Sequence, residues 1–254
     1  MIIMNEKGIV LITGVSGGIG RATAQTFARA GWHVIGVDLH QVANLPDVHH
    51  FICADVSDVT DSQRIFAEVT NDEGRIDALI NNAAIQICKP LVGTDPEEWD
   101  AVMATNLRSA YLSVRHAYPL MRGHGSAIVN VSSVHAIATS ANIAAYAASK
   151  GALLSLTRAL AIELALDKIR VNTVLPGAVD TPMLHAGLTR GHLQGANIQE
   201  LMQDLGGRTV MGRVGQPAEI AQAILFLADN ERSSFITGQS LIVDGGALSR
   251  LSTE

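Results

Sequence analysis

Ile9-Val-Leu-Ile-Thr13 runs directly into Gly14-Val-Ser-Gly-Gly-Ile-Gly20, and the reading of this stretch decides the fold. The first five residues are a short, largely β-branched apolar run, as a buried strand has. After the glycines, Arg21–Ala30 reads as a helix, with Ala22, Phe27 and Ala28 among its apolar positions and Gly31 as its stop. A second strand, His33–Val37, ends in Asp38. A strand, a glycine-rich turn and a helix together can cradle a pyrophosphate. The glycines let the backbone approach it, and the helix amino end offers free N–H groups and a favourable dipole. The spacing is Gly-x-x-x-Gly-x-Gly, not the commoner Gly-x-Gly-x-x-Gly. An acid at the end of the second strand can accept hydrogen bonds from an adenosine ribose. A glycine cluster alone is often a plain turn; strand, loop, helix, strand and acid in this order point to a dinucleotide site.

Outward from there, strands and helices keep alternating. His49–Ala54 reads as a strand ending at Asp55, Thr60–Glu73 as a helix and Ala78–Asn81 as a short buried strand. Thr94-Asp95-Pro96-Glu97 reads as a capping box opening one long helix to about Met121. Ala127–Val131 is a strand, Ala144–Leu166 a helix, and Arg170–Leu175 a strand stopped by Pro176-Gly177. Pro217–Ala228 is a helix with proline in its first turn, and Ser240–Val243 a last strand. The pattern predicts an α/β fold: a Rossmann-type doubly wound parallel sheet with helices on both faces. In such sheets the ligand lies at the carboxyl ends of the strands. Gly14, Asp38, Asp55, Asn82, Ser133 and Pro176 all fall at or just after predicted strand ends, which argues for one shared site. No linker, repeat or low-complexity tract interrupts the chain, so residues 1–254 are expected to form a single catalytic domain.

The chemistry is carried by Tyr146 and Lys150, in Tyr-Ala-Ala-Ser-Lys, with Ser133 thirteen residues upstream. Positions i and i+4 share a helix face, so phenol and ammonium can point to one place. A free tyrosine, with a pKa near ~10, is a poor base at neutral pH. A neighbouring cation would favour the phenolate. That makes the pair a candidate acid/base for moving a proton to or from an alcohol. A serine hydroxyl from the adjacent strand could hydrogen-bond the same oxygen.

Thr13-Gly14-x-x-x-Gly18-Ile19-Gly20, Asp55, Asn81-Asn82-Ala83-Ala84, Asn106, Ser133, Tyr146-x-x-x-Lys150 and Pro176-Gly177 together resemble the short-chain dehydrogenase/reductase family, in its single-domain branch. The resemblance runs from about residue 6 to about residue 248. Ala84 departs from it, standing where the family usually has glycine. The resemblance implies that Tyr146 is the acid/base, that Ser133 orients the carbonyl or alcohol, and that Lys150 lowers the tyrosine pKa and holds the nicotinamide ribose. It implies that Asn106 bends its helix and holds a water behind the lysine. It places Gly14, Ser16, Gly18, Ile19, Gly20, Asp38, Asp55, Val56, Asn82, Tyr146, Lys150, Pro176, Gly177, Val179 and Thr181 around the cofactor. Asp38 would repel a 2′-phosphate, and the positions where NADP-using relatives carry a cation hold Gly17 and Leu39. The expected cofactor is therefore NAD.

The resemblance makes residues 182–215 a substrate lid, and its low charge suggests a small neutral substrate. Gln86 and His135 match substrate-side positions of bacterial 3-hydroxybutyrate dehydrogenases, but Ile143 stands where that subgroup has a lysine. An anion site without its cation is weak, so a neutral secondary alcohol or ketone ranks above a 3-hydroxyacid. His185 is read either as substrate-facing or as incidental. A non-catalytic NAD-binding regulator would be expected to lack the tyrosine or the lysine, and both are here. Epimerases or dehydratases of nucleotide sugars on the same triad are longer chains with an added substrate domain.

Composition bounds the partners. A net charge of −6 and a pI near 5.8 argue against nucleic acid or an anionic membrane. Charged residues make up only 17% and apolar ones 48%, which leaves apolar surface to bury against further copies; a homotetramer is the expected state. There is no leader-like segment or long apolar run, and Cys53 and Cys88 show neither metal-ligand spacing nor a pairing pattern. Buried free thiols, a cytoplasmic location and no metal are the corresponding expectations.

Overall fold

The computed structural model describes residues 7–190 and 197–249. Seven strands form one wholly parallel sheet in the order β3-β2-β1-β4-β5-β6-β7. They are β1 (Ile9–Thr13), β2 (His33–Asp38), β3 (His50–Cys53), β4 (Ala78–Asn81), β5 (Ser126–Val131), β6 (Ile169–Pro176) and β7 (Ser240–Val243). The helices are α1 (Gly18–Arg29), α2 (Val59–Asp72), α3 (Pro96–Met103), α4 (Ser109–Met121), α5 (Ala144–Glu163), α6 (Pro182–Arg190), α7 (Ile198–Gly207), α8 (Pro217–Ala228) and the single turn α9 (Asn230–Ser233).

Period-two alternation along the strands builds two cores. On β1, Leu11 faces a layer formed by Ile65 and Phe66 of α2, Ala117 and Met121 of α4, and Ala161 of α5. Its neighbours Val10 and Ile12 face the opposite layer, with Phe27 of α1 and Ile220 and Ile224 of α8. Strands buried on both faces read as unbroken apolar runs, which is how Ile9–Thr13 and Ala78–Asn81 appear in the sequence. The strand order reverses between β1 and β4, where doubly wound sheets bind ligands.

Three expectations are corrected. The long helix expected from Pro96 to Met121 is broken: α3 and α4 are joined by a π-helical turn, Ala104–Arg108, centred on Asn106. π-turns of this kind leave backbone groups out of the regular ladder and frequently mark functional positions. Its cap is Asp95 with Glu98, whose Oε2 accepts from the Asp95 amide at 3.0 Å, rather than a box built on Thr94. Cys53 is exposed and Cys88 only half-buried, so neither is a core thiol; the β3 edge of the sheet leaves Cys53 uncovered. No described helix is long and apolar enough to cross a membrane.

Candidate active site

Tyr146 lies in the first turn of α5 and Lys150 one turn on, both buried at 7% and 2% exposure. Ser133 follows β5 and caps a short turn, Val134–Ala136, by accepting from the His135 amide at 3.2 Å. Its hydroxyl also hydrogen-bonds the Tyr146 phenol. The expected trio is therefore assembled, and Ser133 is the serine that faces it. The neighbouring Ser132 instead donates to the Lys150 carbonyl at 2.8 Å and pins α5 to the end of β5.

The electrostatics differ from the sequence expectation. Burial pushes the phenol up to about 12, against the pull of the Ser133 hydrogen bond. The same burial brings Lys150 down to about 7. The ammonium does not reach the phenol oxygen in the chain alone. Its Nζ donates to the Val131 carbonyl at 2.8 Å and lies 5.5 Å from the centre of the tyrosine ring. Desolvation thus outweighs the Ser133 hydrogen bond in setting the tyrosine.

Asn106 is buried in the π-turn. Its Oδ1 accepts from the Ile85 amide at 2.8 Å, while Nδ2 donates to the Ile85 carbonyl at 2.9 Å and to Ser149 Oγ at 3.0 Å. Ser149 Oγ in turn donates to the Tyr146 carbonyl at 2.7 Å. This amide ties the chain after β4 to the helix carrying the phenol. Ser149 was not singled out in the sequence, although it sits within Tyr-Ala-Ala-Ser-Lys at the i+3 position from Tyr146. Also missed was the buried row Asn81–Asn130–Thr157, bonded at 2.8 and 2.9 Å, which locks β4, β5 and α5 together beneath the site.

The glycine-rich loop has the shape a dinucleotide needs. Gly14 adopts φ +67°, and a Cβ there would sit 2.9 Å from the Ala83 backbone. A Cβ on Gly20 would fall 2.0 Å from the Gly14 carbonyl, which only glycine allows. Gly17 caps α1 without a side-chain hydrogen bond, so the helix amino end remains open. Ile19 is the first-turn residue beside Gly20. Asp38 Oδ2 accepts from the Ser16 amide at 2.9 Å and Ser16 Oγ at 2.6 Å, which aims the carboxylate at the loop. This cradle fits a dinucleotide, with Asp38 at the ribose end and the α1 amino end at the phosphates.

The other residues expected beside the cofactor lie at the carboxyl ends of their strands or shortly after them. Asn82 Nδ2 donates to the Thr13 and Gly14 carbonyls at 2.9 and 3.0 Å, so it shapes the loop from within. Asp55 accepts from Ser57 at 2.8 and 2.7 Å and is followed by buried Val56. Pro176 ends β6, Gly177 bonds to the Val243 carbonyl at 3.0 Å, and Val179 is buried beside a bridge to Gly215. Thr181 lies against the loop: a Cβ on Gly18 would stand 2.7 Å from its methyl.

On the substrate side, the His135 ring meets Tyr146 edge-on at 5.9 Å, and burial lowers its pKa. Gln86 Nε2 donates to Cys88 Sγ at 2.9 Å and backs onto Gly187 of α6. His185 pairs with Asp180 at 2.8 Å, beside a cavity of about 560 Å³ also lined by Ile198 and Met202 of α7. Residues 191–196 of the expected lid lie outside the described residues.

A parallel doubly wound sheet, a nucleotide cradle at its switch point and a tyrosine–serine pair beside it define an oxidoreductase of the nicotinamide-linked class, acting between alcohol and carbonyl. A family model described as enoyl-(acyl carrier protein) reductase matches residues 14–247. The chain is 36% identical to the cyclopentanol dehydrogenase of Comamonas testosteroni, over 96% of this chain and 97% of that one. It is also 36% identical to the 3-oxoacyl-(acyl-carrier-protein) reductase of Thermotoga maritima, over 95% and 98%. The ligand-free aldohexose dehydrogenase of Thermoplasma acidophilum superposes with a TM-score of 0.90 at 33% identity, covering 96% of this chain and 95% of that one. The chain belongs to the short-chain dehydrogenase/reductase family.

Proposed function

We propose that this chain is an NAD-dependent dehydrogenase of neutral secondary alcohols, or in reverse a ketone reductase. The observation that carries the reading is the Tyr146 phenol, buried and hydrogen-bonded by Ser133, at the carboxyl end of β5 next to the glycine cradle. When bound, the nicotinamide supplies the redox chemistry. The protein's own part is to hold the substrate oxygen between Ser133 and Tyr146 and to move a proton at the phenol oxygen. A phenol this hard to ionise holds its proton at neutral pH and still lies below an alkoxide's conjugate acid, so it can donate to a nascent alkoxide; Lys150, when charged, is the cation that favours its conjugate base. The negative charge of a bound dinucleotide favours the charged lysine. Asn106 and Ser149 act as positioning residues, holding the first turns of α5. The described parts of the stretch, 182–190 and 197–215, are assigned to the substrate lid.

The relatives act, by their names, on cyclopentanol, 3-oxoacyl groups on carrier protein, and aldohexose, so the fold alone does not choose a substrate. Neutral alcohols are favoured because, among the described residues, the three positions expected to hold a carboxylate offer no cation. Burial keeps His135 in its neutral form, Ile143 is buried, and Gln86 offers only an amide. A 3-hydroxyacid would leave its carboxylate unpaired here. A panel of secondary alcohols tested for NADH production at alkaline pH, against 3-hydroxybutyrate, decides between the two. Faster turnover of the acid would overturn the reading.

Cofactor choice rests on Asp38, aimed at the ribose end of the cradle, with exposed Leu39 after it and Gly17 in the loop. Wild-type kcat/KM should be higher with NAD than with NADP, and Asp38→Ala should narrow the gap by about tenfold or more, as removing a charge repulsion typically does. A wild-type preference for NADP would show that Asp38 does not face the 2′ position.

We further propose a cytoplasmic homotetramer. Ala110 and Ala117 of α4 are buried within the chain and leave no small-residue face there for a second subunit. Ala152 and Ala159 of α5 line an open groove of about 800 Å³ with Leu107, Tyr111 and Leu156, which supports one two-fold contact. The β7 edge, with Ile242 at 42% exposure, supports a second. Light scattering at micromolar concentration should give four times the 26.8 kDa chain mass. A monomer would refute the proposal, and a dimer would remove one contact.

A further inference from the structure

At the opposite end of the sheet from the cofactor cleft, His50 opens β3 and points at α2. Its Nε2 lies 2.9 Å from Glu68 Oε1 and 4.0 Å from Asp72 Oδ2. Glu68 and Asp72 are four residues apart on α2, so successive turns of one helix face present both carboxylates to the same imidazole. The three ligand atoms lie within 4.8 Å of one another. Bonds of ~2.0–2.2 Å to a tetrahedral zinc would set the ligand atoms roughly 3.3–3.5 Å apart, so Glu68 would swing slightly away from His50 and Asp72 slightly toward it.

The support behind the imidazole is what distinguishes this cluster from ordinary surface ion pairs. The second ring nitrogen, Nδ1, faces Glu73 Oε1 at 3.6 Å, and the same oxygen is held by His33 Nε2 at 3.0 Å. The His33 ring is stacked on His49 at 4.8 Å, and His49 Nδ1 accepts from the Val34 amide at 3.0 Å. A carboxylate facing the far nitrogen, here just beyond hydrogen-bond distance, stands where one can fix the tautomer and orientation of a metal-binding histidine. Glu68 and Asp72 are 36% and 55% exposed at their side chains, which leaves an entry path. The nearest competing cation, Arg64 Nη1, stands 4.0 Å from Glu68 Oε2, the oxygen not facing His50.

We infer that His50, Glu68 and Asp72 form a zinc(II) site, with Glu73 as the positioning carboxylate behind His50, that fastens α2 to the edge strand. One imidazole with two carboxylates suits a borderline divalent ion such as Zn²⁺ better than Mg²⁺, which prefers oxygen and water alone. The sequence shows no metal spacing because the strand ligand and the helix ligands meet only in the fold.

The test is zinc chloride titrated into the untagged, chelator-treated full-length protein, with a chromophoric chelator as competitor. One zinc per chain is expected at micromolar or tighter affinity, with magnesium failing to compete. His50→Gln and Asp72→Asn should each weaken binding at least about tenfold, and Glu73→Gln by about tenfold through loss of the charge facing His50 Nδ1. Asp72 is half-exposed, so its variant keeps the fold, and NAD-linked turnover of that variant should equal wild type. Binding should also weaken toward acid pH, because the ligands must release protons. No zinc uptake by the wild type overturns the proposal, as does undiminished uptake by both His50→Gln and Asp72→Asn.

Discussion

Tyr146→Phe is expected to lose about 10²–10⁴-fold in kcat while nucleotide affinity stays within a few-fold of wild type, the range that acid/base groups supply. The phenol is buried, and its oxygen is bonded to Ser133, not to the loop that cradles the nucleotide. Phenylalanine keeps the ring and its edge contact with His135, so packing is preserved. The wild-type pH profile adds a second reading. Burial pushes the phenol up to about 12, so at neutral pH it starts as the acid, and alcohol oxidation, which needs the base, should speed up as pH rises. Steady-state rates and a fluorescence titration with NADH separate the two effects. A variant that keeps a tenth of wild-type turnover would remove Tyr146 from the chemistry.

Lys150→Met should separate function from stability. Turnover should fall by about 10²-fold or more, because the cation beside the tyrosine ring is lost and the conjugate base is no longer favoured. The nucleotide-free protein, in contrast, should become more stable. Burial lowers the lysine pKa from 10.5 to about 7, so the folded state holds its proton less tightly than the unfolded chain. Between pH 7 and 10.5 the unfolded chain binds the extra proton, and wild-type stability rises with pH across that window. Below it both states are protonated, and the cost of burying the charge is at its full size, on the order of 5 kcal/mol. Methionine removes that cost and retains much of the stem, at the loss of one hydrogen bond to Val131 worth about 1 kcal/mol. The variant should therefore melt several degrees higher at mildly acid pH, at about 2–4 °C per kcal/mol for a chain this long, with the gain shrinking in alkali. A lower melting temperature at every pH would mean that the Val131 contact and its surroundings outweigh desolvation.

The contrast between these two residues also shows how far the sequence reaches. Their spacing placed them on one face of a helix, and the trio with Ser133 is assembled as expected. The sign of the electrostatics was not legible, because it depends on how completely α5 packs over the pair. Spacing reports proximity, whereas a pKa reports the balance of proximity and desolvation.

Asn106 shows the same limit in another form. A mid-helix asparagine flagged a departure from propensity, but the break into α3, a π-turn and α4 follows from its bonds to Ile85 and Ser149, distant in sequence. Ala110 and Ala117 look like interface residues in a list of small side chains and turn out to be core, because a helix face is assigned only when its neighbours are in place.

What the sequence by itself determined was the α/β class, the succession of strands and helices along the chain, the glycine-rich turn after β1 and the proximity of Ser133, Tyr146 and Lys150. Those depend on local periodicity, glycine conformation and i,i+4 geometry, all carried by contiguous residues. What only the tertiary structure decided was the burial that sets Tyr146 and Lys150, the Asn106–Ser149 brace, the exposure of Cys53 and the meeting of His50 with Glu68 and Asp72. Each of these joins elements far apart in the chain, and its energy exists only once water has been excluded between them.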